Sequence, residues 1–389
     1  MTSFGKMLRN LRTTQGLSLA HLALQVHYSK GYLSNVERGK KPPTEDLARS
    51  CDQALNARGE LIAAAHLDVV ASTDTTPWQT AELIRRIQAS DTTPGTLEGL
   101  HATVADLCCQ YPYQDASDLR AEALRWLDQV CRLLRRPVGL HDHTELLVAA
   151  GWLALLIGCL EYDLGMRTAA EATRTAARQL GDEAGHSEII AWTYEMSAWF
   201  ALTQGRYADV VGAAQAGQAV DRAHGVHVQL IAQEAKARAR IRDNLNLARD
   251  LERGHQVLNR LPTPGRVDNH FVVDPSKWNY YAMDAFRLAG DDEHAEEHAR
   301  IVIAANTTPD GIVRAPMRIA ESKLTLATIA SRRGDLEEAF QLGMEALQGP
   351  RKSLPSLVMV AGELDSELHR RFPSEGQTAD FHEALSALR

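Results

Sequence analysis

The sequence predicts an all-α protein, and three observations support this prediction. Apolar side chains recur at helical spacing through most of the 389 residues, as in amphipathic helices. Strand-like alternation is limited to one short stretch, residues 270–273. Turns containing glycine recur at residues 165, 205, 290 and 334, which are 40, 85 and 44 residues apart. Periods of this order are typical of helical repeat arrays.

The charge divides the chain into two parts. Composition is ordinary for a folded protein, with 44% hydrophobic and 24% charged residues and a net charge of −8. Residues 1–66 nevertheless carry a net charge of +4 and the remainder −12. Such asymmetry indicates that the small basic part meets an anion such as DNA. We expect a basic domain over 1–66, a polar linker over 67–77 and an acidic helical domain over 78–389.

The basic domain reads as five short helices with tight joints. The first covers residues 4–14 and ends near Gly16, because glycine readily adopts the left-handed conformation that ends a helix. Ser18, Ser29 and Thr44 each precede an apolar pattern, so we expect their hydroxyl groups to cap the next three helices. The third helix runs from Lys30 to Arg38. Two short helices joined by a tight turn in about 65 residues suggest a helix-turn-helix.

The local sequence LRNLRTTQGLSLAHLALQVHYSKGYLSNVERGKKPPTEDLA resembles the lambdoid-repressor-like, or xenobiotic-response-element-type, helix-turn-helix family. The likeness covers about Phe4 to Leu61 and includes the segment LSNVERG at residues 33–39. It implies that Leu33 and Val36 pack inward and that Glu37 pairs with a helix 1 arginine, here Arg12. The chain departs from the family pattern at Leu19, where a DNA-contacting glutamine is common.

The same resemblance assigns the DNA-binding residues. A major groove about 12 Å wide admits one helix, whose exposed side chains reach the base edges. Lys30 could donate to guanine and Asn35 could pair with adenine, while the basic loop would contact phosphates, which position the protein without specifying sequence. The candidates for the groove are Ser29, Lys30, Gly31, Tyr32, Ser34 and Asn35, and those for the phosphates are Arg38, Lys40 and Lys41.

The acidic part is expected to begin with three helices, at Trp78–Ala89, Leu97–Tyr111 and Ala116–Arg135. Paired helices follow from about Glu145. The gap of 85 residues predicts a further turn near Asp243–Asn244.

The paired units resemble tetratricopeptide repeats, most clearly at Ala315–Leu347. The whole layout also resembles actinobacterial regulators thought to control secondary metabolism or development, through segments such as HYSKGYLS, FALTQGRY and HFVVDPSKWNYYAMD. The predicted fold is therefore a five-helix helix-turn-helix domain followed by a tetratricopeptide-like α-solenoid.

In such repeats the first helix of each pair lines the concave surface. Counting back 13, 10, 6 and 3 residues from each turn glycine selects the groove positions, and aromatic walls with a few polar groups suit small-molecule or peptide pockets. The same aromatics could instead form the core between stacked repeats. The groove candidates are Trp152, Tyr162, Trp192, Glu195, Trp199, Lys277, Tyr280, Asp284 and Arg287, with Leu155, Cys159, Leu202, Glu321, Leu324, Thr328 and Ser331 at the remaining counted positions.

Enzyme motifs are weak. His294, Glu297 and His298 match a zinc-protease spacing, but no convincing third ligand accompanies them. No phosphate-binding loop or nucleophile elbow occurs, so we expect no catalytic residues, metal or cofactor. Five cysteines without metal-like spacing, no signal peptide and no long uncharged apolar run favour a reduced, cytoplasmic protein away from membranes.

The sequence thus predicts a transcriptional regulator rather than an enzyme. One recognition helix rarely selects a genomic site alone, so we expect a homodimer on a palindromic operator of double-stranded DNA. The repeat domain would carry the dimer interface and sense a small molecule or peptide. The alternative is an adaptor localised by DNA, whose groove binds a partner protein.

Overall fold

The computed structural model describes residues 4–65 and 94–388, apart from 137, 263 and 350. The linker over 67–77 and the helix expected at Trp78–Ala89 lie outside those residues. Every regular element described is a helix, with one isolated β-bridge between Thr307 and Val313. The all-α prediction is confirmed. The chain divides into two compact units, Met1–Thr76 and Pro77–Arg389.

The first unit contains α1 (Phe4–Thr14), α2 (Leu19–Gln25), α3 (Lys30–Glu37), α4 (Glu45–Ala54) and a helical segment over 60–65. The expected caps form: the hydroxyl oxygens of Ser18, Ser29 and Thr44 accept hydrogen bonds from backbone N–H groups three residues later. Each cap satisfies a donor that the helix start would leave unpaired. The core contains Phe4, Leu8, Leu22, Leu33, Val36, Leu47, Leu55 and Leu61.

The second unit is built from consecutive helices that pack on their neighbours. In chain order they are α5 (Pro94–Gln110), α6 (Ala116–Leu134), α7 (Leu140–Asp163), α8 (Arg167–Ala184), α9 (Ser187–Thr203), α10 (Tyr207–Val220), α11 (Val226–Arg240), α12 (Asn244–Leu258), α13 (Pro275–Ala289), α14 (Asp292–Ala305), α15 (Pro316–Arg333), α16 (Leu336–Leu347), α17 (Leu354–Arg371) and α18 (Gly376–Ser386). From α7 onward they form antiparallel hairpins whose first helices pack side by side, which gives a solenoid-like arrangement.

The turn expected near Asp243–Asn244 is present. It joins α11 to α12, and Arg242 there adopts the left-handed φ of 60°. Gly165, Gly205, Gly290 and Gly334 occupy the corresponding turns with positive φ. Glycine avoids the Cβ strain of this conformation. Arg242 adopts the same left-handed conformation at some energetic cost, so the turn forms although it contains no glycine.

The strand-like stretch at 270–273 is not a strand. It forms turns before α13, and the ring of Phe271 inserts between those of Trp152 and Trp192, with centroid distances of 5.4 Å and 5.1 Å. Alternating apolar residues here serve a loop that packs into the core. The backbone N–H of His270 donates to the carbonyl of Cys108 at 3.1 Å, which fixes this loop against α5.

One described helix, α7, is long and apolar enough to cross a bilayer by composition, although 72% of its most apolar stretch is buried inside the unit. It packs against α5, α6, α8, α9 and α17. Being surrounded by other helices explains an apolar surface on all sides. For the described residues, this burial indicates a core helix rather than a membrane span.

The last hairpin returns to the first. Helix α17 contacts α7 and α9. The guanidinium of Arg351 donates to the Asp163 carboxylate at 2.7 Å, across 188 residues, and Trp199 Nε1 donates to Ser356 Oγ at 2.9 Å. We call these two hydrogen bonds the closure contacts. They join the two ends of the helical array and bring the first helices of its hairpins around a common pocket.

Candidate functional sites

Helix α3 presents a mixed polar and basic face. Leu33 and Val36 are buried in the core of the first unit, as expected, and this fixes the rotation of the helix. Ser29, Lys30 and Gly31 at its N-terminal end are exposed, whereas Tyr32, Ser34 and Asn35 are half-buried, and Arg38, Lys40 and Lys41 are exposed after its end. An exposed N-terminal end is what a recognition helix offers to base edges.

A half-buried ion pair joins α3 to α1. The Arg12 guanidinium donates from Nε and Nη2 to both carboxylate oxygens of Glu37 at 2.6 Å and 3.0 Å, and from Nη1 to the carbonyl of Leu17 at 2.7 Å. The hydrogen bond to Glu37 raises the pKa of Arg12. The pairing implied by the family resemblance is therefore present, and Glu37 is oriented inward, away from the exposed face.

Several candidate DNA-binding side chains interact with one another. The Tyr32 ring stacks on Tyr28 at 5.6 Å, and Lys41 Nζ lies 5.6 Å from the centre of the same ring. Arg38 folds back onto Ser34, donating to its backbone carbonyl at 3.0 Å and its hydroxyl at 2.7 Å. Leu19, in place of the expected glutamine, is half-buried against the core.

The second unit holds a pocket of about 120 Å³ among the first helices of its hairpins. Helices α9, α11, α13, α15 and α17 line it, together with the loop between α5 and α6 and the loops before α13, α15 and α17. The lining residues are Tyr111, Pro112, Glu195, Trp199, Leu202, Gln229, Gln233, Lys236, His270, Lys277, Tyr280, Tyr281, Ala315, Met317, Arg318, Glu321, Ser353, Ser356 and Met359.

Charges of both signs face this pocket. Burial raises the pKa of Glu195, whose Oε1 accepts hydrogen bonds from Gln229 at 2.9 Å and Gln233 at 2.7 Å. Burial also raises the pKa of Glu321. Burial, reinforced by the nearby positive charge of Arg318, lowers the pKa of Lys277 to about 7. Shifted groups gathered in one pocket are a mark of a binding site.

The groove candidates divide between pocket, core and an ion cluster. Glu195, Trp199, Lys277 and Tyr280 line the pocket, as do the counted positions Leu202 and Glu321.

Three aromatic candidates lie in the core. Trp192 is fully buried and Trp152 half-buried, both against Phe271. Tyr162 is buried, stacks on Phe200 at 3.9 Å and borders a second concavity near Gln204. No residue counted from Gly165 lines the first pocket. Core packing, the alternative left open by the sequence, describes these three side chains.

Asp284 and Arg287 belong to a buried ion cluster that joins α11, α13 and α17. Arg240 donates to Asp284 at 2.9 Å and pairs with Glu363 at 3.0 Å, and Arg287 bridges the same two carboxylates. Although burial opposes it, the charge of Arg240 holds the pKa of Asp284 below its usual value. The cluster lies beside the pocket and stabilises the helices around it.

Sequence reasoning missed several lining residues. Counting back 13 and 6 residues from Arg242, the turn without glycine, would have selected Gln229 and Lys236. Tyr111 and His270 come from loops outside the repeat positions, and local periodicity carries no signal for them. The same is true of Arg318, which lies in the first turn of α15.

Two pairs of histidines could be considered as metal ligands, and each histidine has a hydrogen-bond partner nearby. His294 pairs with Asp291 and His298 with Asn279, while both rings stack on Phe286. Among the described residues, no group of three metal-ligating side chains includes either histidine. Within the described ranges, ligand atoms of Asp365, His369 and His382 lie within 4.8 Å of one another. His382 Nδ1 is 2.9 Å from the Asp365 carboxylate, and His369 Nδ1 is 3.0 Å from the backbone carbonyl oxygen of Asp365.

Comparison with known proteins gives one family match. Residues 3–65 match a family described as a helix-turn-helix domain. The match indicates DNA-binding regulation, a role that is typically non-enzymatic. No curated protein matches the chain.

Proposed function

We propose that the protein is a sequence-specific transcriptional regulator that binds a palindromic operator as a homodimer and senses a small signal through its second unit. The observation that carries the DNA-binding half is α3, with Leu33 and Val36 buried and Lys30 exposed at its N-terminal end. Its orientation is fixed by the Arg12–Glu37 pair. Lys30 and Asn35 are the proposed base readers, with Lys40 and Lys41 on the phosphates.

The energetics of base recognition by α3 favour a dimer. Helix α3 has eight residues, and each good base contact discriminates by about 1–3 kcal/mol. Specific binding exceeds nonspecific binding by about 4–10 kcal/mol, so a second copy on a symmetric half-site supplies the missing contacts. We assign the dimer interface to the second unit, whose hairpins we propose to be of the tetratricopeptide type.

The sensing half rests on the pocket of the second unit. Both Trp199 and Ser356, which form one closure contact, line it. An occupant of the pocket therefore touches the residues that hold α17 against α9. Since a ligand shifts an equilibrium only through different contacts in the two states, this is the place where binding would alter the arrangement of the second unit and with it the spacing of the dimer.

Gel shift with the protein's own promoter tests the DNA-binding proposal. We expect the purified protein alone to shift this DNA specifically. Lys30→Ala and Asn35→Ala should weaken specific binding more than nonspecific binding, whereas Lys41→Ala should weaken both alike, because a phosphate contact carries no sequence information. Equal losses in all three variants would overturn the base-reader assignment. A specific shift seen only with a second protein would favour the adaptor alternative.

A further inference from the structure

We propose that the pocket of the second unit binds a small organic acid that combines one anionic group, an apolar ring or chain and a hydrogen-bond donor, with Arg318 and Lys277 holding the anionic group. This inference rests on the proposed sensing role and narrows its ligand. It depends on three observations: an unmatched cation, an unmatched acceptor and an aromatic wall, all in one pocket.

The unmatched cation is Arg318. Three basic side chains line the pocket, and two of them have local partners. Lys236 Nζ lies 3.9 Å from the Asp284 carboxylate and over the ring of Tyr280, and Lys277 Nζ donates to the carbonyl of His270. No ion pair joins the half-buried Arg318 to a carboxylate of the described residues. A guanidinium is always charged and matches a carboxylate with two parallel hydrogen bonds.

The carboxylates of the pocket are held by other groups. Glu195 Oε1 accepts from the two glutamine amides, and Glu321 is buried beside Tyr280 and Lys236, whose charge stabilises its anion. The lining therefore presents Arg318, Lys236 and the amine of Lys277, whose pKa is lowered to about 7, against two carboxylates. An anionic ligand would pair with Arg318 and favour the protonated form of Lys277, whereas a cationic ligand would place its charge beside both groups, which is unfavourable in a low-dielectric site.

The unmatched acceptor is Gln233. Its side chain is 5% exposed, and its Nε2 donates to Glu195. That bond fixes which amide atom is nitrogen, so Oε1 is turned the other way and accepts no hydrogen bond within the described part of the chain. Buried acceptors without a donor are costly. A hydroxyl or N–H group on the ligand would satisfy this oxygen.

The walls suit a flat apolar body of limited size. Trp199, Tyr280 and Tyr281 line the same pocket, and aromatic faces supply apolar contact area at low entropic cost. The volume of about 120 Å³ limits the enclosed part of a ligand to a small molecule. The closure contact in which Trp199 donates a hydrogen bond to Ser356 restricts the pocket on one side.

Three probes of nearly equal shape test the charge preference. We would titrate the full-length protein by calorimetry with 4-hydroxyphenylacetate, its neutral amide and the amine tyramine. The acid should bind more tightly than the amide, and tyramine should bind least. Arg318→Gln should raise the Kd for the acid by about tenfold or more, as expected on losing a charge-assisted contact. Arg314→Gln, an exposed site four residues away, is the matched control and should bind as wild type.

Lys277→Met keeps the test decisive if Arg318→Gln folds poorly, and it too should weaken binding of the acid. Equal binding of the three probes, failure of all of them to bind, tightest binding of tyramine, or an unchanged Kd in both variants would overturn the proposal. Gel shifts on the same samples distinguish failure of the ligand inference from failure of the proposed regulator function. Specific DNA binding without preference for the acid removes this inference alone, whereas preference for the acid without specific DNA binding removes the regulator function.

Discussion

Replacing Arg351 with methionine tests whether the array is held closed by its ends. The Arg351 guanidinium and the Asp163 carboxylate are 3% and 0% exposed and lie 2.7 Å apart. Methionine fills much of the same space without the charge. Asp163 would then remain buried without its cation, although burial already raises its pKa and protonation offers it a partial escape.

The expected magnitude comes from the burial of the pair. Breaking a buried ion pair by removing one partner costs about 3–5 kcal/mol. With an unfolding entropy of about 2.1 cal/mol/K per residue, a unit as long as Pro77–Arg389 would lose roughly 5–8 °C in melting temperature. Lowering the pH should reduce the deficit, because Asp163 becomes neutral at higher pH in the variant than in the wild type.

The assay is urea and thermal unfolding of Arg351→Met, Asp163→Asn and the double variant. The double variant should be more stable than the sum of the single losses predicts, because it removes both charges and leaves no buried charge unpaired. Arg266→Met is the matched control. Arg266 and Asp106 are also far apart in the sequence and form an ion pair at 2.6 Å, but their side chains are 46% and 43% exposed. The loss of unfolding free energy in this variant should therefore stay within about 1 kcal/mol. Equal effects of Arg351→Met and Arg266→Met, or strict additivity in the cycle, would refute the reasoning.

Three further predictions concern single residues. Arg12→Ala should lower the free energy of unfolding of the first unit by about 2 kcal/mol, because Glu37 loses its charged partner; calorimetry should show only that unit melting earlier, and a shared shift would contradict this. The pKa of Lys277 is about 10.4 in the unfolded state, whereas burial lowers it to about 7 in the folded state. Unfolding therefore takes up a proton between those values, so the urea-derived free energy should rise with pH over this window, more in wild type than in Lys277→Met; parallel pH curves would disprove it. Gly5→Ala should cost about 1–3 kcal/mol, since its Cβ would lie 2.3 Å from the carbonyl oxygen of Val36, and a wild-type melting temperature would show that α1 can move aside.

The local parts of the fold could be predicted because short-range rules decide them. The caps at Ser18 and Ser29 each depend on a hydroxyl three residues before the backbone N–H group that it satisfies. The hairpin turns follow from glycines in the left-handed region, and the spacing between those glycine turns correctly predicted a further turn between Gly205 and Gly290, although Arg242 stands there. The Arg12–Glu37 pair came from the family resemblance rather than from spacing.

The site could be predicted only where repeat geometry holds. Glu195 and Lys277 follow from their distance to a turn, and both line the pocket. Trp192 occupies an equivalent repeat position but is covered by Phe271, which comes from a loop 79 residues later. Contacts of this kind depend on how distant segments meet, and no local period encodes them. For the same reason the return of α17 to α7 had no signature in the sequence.

The closure contacts also restrict how this chain can change in evolution. In an open array of repeats each unit touches only its neighbours, so a hairpin can be duplicated or deleted with little effect on the others. Here Arg351 must reach Asp163 and Ser356 must reach Trp199. One additional hairpin between α9 and α15 would move these partners apart by the width of a helix pair. The number of hairpins is thereby fixed by the fold itself, and we expect insertions to accumulate in loops rather than as whole repeats.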